Sequence, residues 1–132
     1  MRLWHIDIIP YLPNSQLIAQ WRELNSIYAK QDNHILIDYI YNYTKTYLLD
    51  YSTAVLNEMH KRSIKIKSFD KYNNYFSGAK ESLLRQLRYE EHDNEYLTIC
   101  YYNLKEKYIR GQKDFTQEIF EKLTKFYLTK IK

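Results

Sequence analysis

Few residues of this chain have the type and spacing that chemistry requires. The four histidines (His5, His34, His60, His92) are scattered, with no i, i+4 pair, so no helix offers two imidazoles to one metal. Cys100 is the single cysteine. Alone it builds neither a disulfide framework nor a thiolate zinc site, and it fits a reducing, cytoplasmic compartment. No serine sits in a glycine-flanked elbow, and with only Gly78 and Gly111 there is no phosphate-cradling loop. Neither metal nor cofactor is expected. His5, beside Trp4, is expected in a hydrogen-bonded surface or packing role.

The elements that carry these residues are helices. At 132 residues the chain is sized for one domain (1–132). Two glycines and two prolines are too few for a turn-rich sandwich or barrel. The expected class is all-α, a compact helical body (14–131) with an extended N-terminal arm (1–13) packed between helices. MRLWHIDIIPYLP lacks helical periodicity, and Pro10 and Pro13 bar an α-helix from its second half. The spacing then predicts a helix from Asn14 or Ser15, either as N-cap, to Ala29. Leu17, Trp21, Leu24 and Tyr28 form its apolar face, with Ile18 beside them. Gln16, Ala19 and Glu23 project from the far side and Arg22 from another flank. Trp4 and Trp21 are expected as core anchors.

ILIDYIYNY (35–43) suits a strand by composition but has no partner strand, so a short helix or irregular buried segment is expected. A helix over 45–62, capped by Thr44, turns Leu48, Tyr51, Val55 and Met59 inward and ends in cations that suit a helix C-terminus. Residues 63–76 are expected as a loop whose Tyr72 and Tyr75 could stack on a base. A modest helix is expected over 79–89. A longer one runs from Asp93 to Arg110, with Leu97, Cys100, Leu104 and Tyr108 inward, and Gly111 stops it. Asp114 and Gln117 read as a capping box for a last helix over 115–131, with Ile119, Leu123, Phe126 and Tyr127 inward.

The net charge is +4, but it is uneven. Residues 58–80 hold six cations against two acids, and residues 105–132 hold eight against four. Residues 81–104 hold two against five. A phosphate-binding surface would therefore draw on the two basic blocks. No apolar stretch approaches a membrane span, and no signal-peptide pattern opens the chain.

Three stretches carry a resemblance: MRLWH at the start, LPNSQLIAQWREL at 12–24 and EHDNEYLTICYYNLKEKYI at 91–109. Their order and spacing resemble the pyrimidine-dimer DNA glycosylase family, to which phage endonuclease V belongs, and above all its bacterial members opening with MRLWH. NEMHKR (57–62) is similar to that family's second long helix, which ends in a Lys-Arg pair. The resemblance implies a helical domain whose arm brings the chain's α-amine to the active site. It further implies a DNA repair enzyme on damaged duplex DNA, without metal or cofactor, that flips a nucleotide out and attacks its sugar with that amine. A Schiff base forms, the glycosidic bond breaks, and β-elimination cuts the strand.

Carried onto this chain, the resemblance makes the Met1 amine the nucleophile and Glu23 the acid/base and cation stabiliser. Arg2, Arg22, Gln16, Lys61 and Arg62 become DNA contacts. The chemistry is sound, because an ordinary α-amine titrates at about 7.7–8.0 and is partly unprotonated near neutrality. Bidentate arginines suit a bent phosphate backbone. The chain departs from the family at three places. It begins Met-Arg, so Met1 is expected to be retained; Ser26 replaces a frequent arginine; and Trp21 replaces the histidine before Arg-Glu. A monomer is expected. The rival expectation is a non-catalytic helical DNA-binding or protein-interaction module of the same fold.

Overall fold

A computed structural model describes residues 1–79 and 86–132. Among the described residues five α-helices form: α1 (Asn14–Ala29), α2 (Lys45–Lys61), α3 (Asp70–Tyr75), α4 (Asn94–Ile109) and α5 (Gln117–Lys130). Two 3-10 turns, Ile6–Tyr11 and Asp38–Asn42, complete the secondary structure, and no strand forms among the described residues. One all-α core gathers arm residues Leu3, Trp4, Ile8 and Ile9 with Leu17, Leu24, Tyr51, Val55, Leu97, Leu104 and Leu123. Both tryptophans are buried in it, as core anchors. Among the described residues no helix is long and apolar enough to cross a membrane.

The inward stripes of α1, α2 and α4 follow the sequence pattern closely, because each is an uninterrupted 3.6-residue repeat of apolar side chains. Ile18 is the exception. It is exposed, whereas Gln20 lies wholly inside. Segment 35–43 is a turn followed by the second 3-10 helix.

Several local expectations change. The arm is not extended throughout, since Ile6–Tyr11 winds into a 3-10 helix that contains Pro10. His5 starts it by accepting the Asp7 N–H on Nδ1 (3.1 Å); buried, it takes the packing form of its expected role. The loop at 63–76 contains α3, pinned to α1 through rings: Tyr72 packs on Trp21 and Tyr75 on Tyr28. These two tyrosines therefore belong to an aromatic cluster and are half-buried, not open stacking platforms. Most of the helix expected over 79–89 falls outside the described residues. Its last part, 86–89, is irregular, with the Leu87 N–H donating to Asp50 Oδ2 (2.7 Å).

Capping is also redistributed. Pro13 holds the N-cap position of α1 with no side-chain bond, and the Thr44 hydroxyl makes none at α2. Asp114 does not box the last helix. Its carboxylate reaches 99 positions back, taking the Ser15 N–H on Oδ2 and the Ser15 hydroxyl on Oδ1, each at 2.7 Å. Thr116 caps α5 by accepting the Ile119 N–H. The turn that sends Asp114 back depends on Gly111, at φ +87°. The Gly111 and Gln112 N–H groups there close onto the Tyr108 and Lys107 carbonyls as α4 ends.

Candidate active site

The arm's first residues lie in the core without a strand to pair with, so buried side chains satisfy their backbone. The Trp4 N–H donates to Gln20 Oε1 (2.8 Å), the His5 N–H to Cys100 Sγ (3.4 Å) and the Ile6 N–H to His92 Nδ1 (3.1 Å). In return Gln20 Nε2 donates to the Arg2 carbonyl (3.1 Å), Tyr96 to that of Leu3, and Tyr51 to that of Trp4 (2.7 Å). Polar side chains of α1, α2 and α4, with His92 just before α4, thus do for the arm what a neighbouring strand would. With Nδ1 accepting, His92 carries its proton on Nε2 and donates it to the Tyr39 hydroxyl (2.7 Å).

This stitching fixes where the chain begins. Gln20 Nε2 also donates to Glu23 Oε2 at 3.2 Å, so one amide nitrogen holds both the Arg2 carbonyl and the Glu23 carboxylate. Met1, one peptide earlier, is 36% exposed. Burial pushes Glu23 above its usual range, opposed first by the N-terminal ammonium, then by Arg22 and Lys107. The amine is the strongest charge acting on Glu23, though no direct ion pair joins them among the described residues. Arg2 lies with its guanidinium 5.9 Å from the Trp4 ring centroid, where it also favours the ionised forms of Tyr96 and Cys100 against the burial that raises both. Arg22 is exposed beside Glu23.

The other predicted contacts divide. Gln16 stands on the Glu23 side of α1, its Nε2 donating to Gln112 Oε1 (2.9 Å). Lys61 is exposed at the end of α2. Arg62 is occupied. Its guanidinium donates to Glu58 (2.8 Å), to the Leu12 and Pro10 carbonyls (2.7 and 3.0 Å) and to Asn14 Oδ1 (2.9 Å). Those bonds clamp the end of the arm to α2 and leave little of the side chain for a phosphate. Arg22 also lines an open groove of about 580 Å³ between α1 and residues 64–71, with Trp21 and Met59 in its wall and Lys65, Lys67 and Lys71 at its edge. Among the described residues no group of three or more metal-ligating side chains gathers.

A family model described as pyrimidine dimer DNA glycosylase matches residues 1–72, more than half of the chain. The chain belongs to the pyrimidine dimer DNA glycosylase family. No curated protein and no solved structure matches. For a member of this family of DNA repair enzymes, whose substrate is DNA, the matched part is telling: it holds the arm, α1 and α2, with Met1, Gln20 and Glu23. The similarity of 91–109 lies beyond it. Two residues that act on Glu23 escaped the sequence. Lys107, on α4, acts on the Glu23 carboxylate through its charge, which nothing in its own helix announces. Gln20 did leave a signal, a polar residue one position from Trp21 on the inward stripe of α1.

Proposed function

We propose that the chain is a glycosylase with associated abasic-site lyase activity on damaged duplex DNA, pyrimidine dimers first, and that its Met1 amine forms a Schiff base. The observation that carries this is the shared Gln20 amide, which ties the backbone next to Met1 and the Glu23 carboxylate to one nitrogen. The deprotonated amine attacks C1′ of the extruded nucleotide. The glycosidic C–N bond breaks, and the pyrimidine leaves with the bonding electrons and takes up a proton. Ring opening leaves the Met1 nitrogen doubly bonded to C1′. Loss of a C2′ proton then expels the 3′ phosphate, and water releases the amine. Glu23, held above its usual range by burial, carries protons closer to neutrality and faces the cationic sugar as it forms.

Arg2 and Arg22 are the proposed phosphate clamps, with Gln16 and Lys61 at the rim and Arg62 reassigned to holding the arm. The groove beside Arg22, edged by Lys65, Lys67 and Lys71, extends the track for one strand. Borohydride trapping on ultraviolet-damaged and abasic duplexes tests the chemistry. Protein with a free Met1 is expected to give a covalent adduct on both. Blocking the amine abolishes it, and Glu23→Gln lowers it by about 10²-fold or more, as loss of a positioned acid/base does. Salt-sensitive binding without any adduct would overturn the mechanism in favour of a non-catalytic DNA-binding module.

A further inference from the structure

We infer that Gln20 is a positioning residue of the active site, its amide coupling the placement of the arm to the ionisation of Glu23; this rests on the proposed roles of Met1 and Glu23. The side chain is completely buried, and both ends of its amide are used twice. Oε1 accepts the Trp4 N–H at 2.8 Å and lies 2.8 Å from the Tyr51 hydroxyl, whose single hydrogen it shares with the Trp4 carbonyl. Nε2 donates one hydrogen to the Arg2 carbonyl at 3.1 Å and the other to Glu23 Oε2 at 3.2 Å. An amide has two donor hydrogens and an oxygen with two acceptor sites, so Gln20 has no capacity left. It also has no freedom to flip, because an exchanged oxygen would face the Arg2 carbonyl and the Glu23 carboxylate.

A residue needed only to satisfy the arm would stop at Trp4 and Arg2. The fourth bond is different, since it ends on the group proposed to move protons. An N–H directed at Glu23 favours the carboxylate and opposes the burial that raises this group. The same bond fixes which oxygen faces the arm and which stays open to the amine and the sugar. The other charges acting on Glu23 are the Met1 ammonium from the arm, Arg22 from α1 and Lys107 from α4. All three also favour the carboxylate, and Gln20 is the neutral group that aims it.

Side-chain amide spectra of the DNA-free protein, followed through pH, test the coupling. One Gln20 Nε2 proton is expected to move with the Glu23 midpoint and to stop moving in Glu23→Gln. A Gln20 amide indifferent to Glu23 overturns the inference. Gln20→Glu retains an oxygen for the Trp4 N–H and Tyr51 but turns a second one on Glu23. It should raise the Glu23 midpoint, move the acid limb of trapping to higher pH, and slow trapping roughly ten- to hundredfold, as misplacement of a reacting group does, with DNA affinity unchanged. Tyr101→Phe removes a bond to Thr124 that involves neither Gln20 nor the arm and should lower Tm without moving the Glu23 midpoint. If Gln20→Glu loses stability while the Glu23 midpoint stays where it was, Gln20 is structural only. The spectra need no activity, so a missing adduct would sink the Schiff-base proposal and leave this coupling standing.

Discussion

At the scale of single residues, the site is held together by polar side chains that the core has to absorb. Glu23 shows what this costs. Burial favours its protonated form in the folded protein, so the folded state holds that proton more tightly than the unfolded chain does. Stability contributed by protonated Glu23 is therefore full in acid, and it falls as pH rises through the carboxylate range into the raised folded value. Glu23→Gln should accordingly raise Tm near neutrality and leave it almost unchanged near about pH 3, which calorimetry at the two pH values would check. His92 behaves in the opposite sense. Burial, then His5 and Arg88, pull it down to about 3, against Asp7 and Asp93. Its contribution is complete above about pH 6.5 and is lost as pH falls, amounting to roughly 2 kcal/mol by pH 5. Denaturant titrations should show this acid limb, and His92→Gln should flatten it.

At the scale of elements, helix ends rather than helix middles decide the geometry. The inward residues of α1, α2 and α4 were legible in the sequence, because a repeat of 3.6 is a local property of the chain. The caps were not. Asp114 three residues before Gln117 has the pattern of a capping box, yet the Gly111 turn carries it to the start of α1, where Ser15 offers both an N–H and a hydroxyl. A capping motif records which residues can bond, not which helix end will be nearest. The carboxylate of Asp114 is pushed up by desolvation and held down, on balance, by the bonds from Ser15 and Gln112. Asp114→Ala should cost about 1 kcal/mol, the usual value of a missing cap. Thermal unfolding above and below the carboxylate range should show that cost at the higher pH and its disappearance at the lower. The 3-10 winding around Pro10 was hidden for a similar reason. His5 starts it and Arg62 clamps its end, and both partnerships depend on contacts made after folding.

At the scale of the whole molecule, folding gathers basic residues from separate parts of the chain at one groove. The excess in 58–80 was visible by counting, and folding places Lys65, Lys67 and Lys71 at one groove with Arg22 from α1. Replacing these three lysines with alanine should weaken binding to damaged and undamaged duplex alike. The salt dependence should become shallower by about 0.9 in slope for each phosphate no longer neutralised, measured by fluorescence anisotropy across a salt series. The rate of trapping at saturating DNA should persist, because none of the three touches Glu23. By itself the sequence determined the helical class, the inward faces of the long helices, and the family through its arm and Arg-Glu helix, since each is written in local order and spacing. Only the tertiary structure decided that the arm is fastened by Gln20, Tyr51, Tyr96, Cys100 and His92, that Arg62 is occupied, and that Gln20 binds Glu23. All but the last join residues far apart in sequence, the last depends on the same Gln20 amide, and spacing along a chain carries no record of them until helices pack.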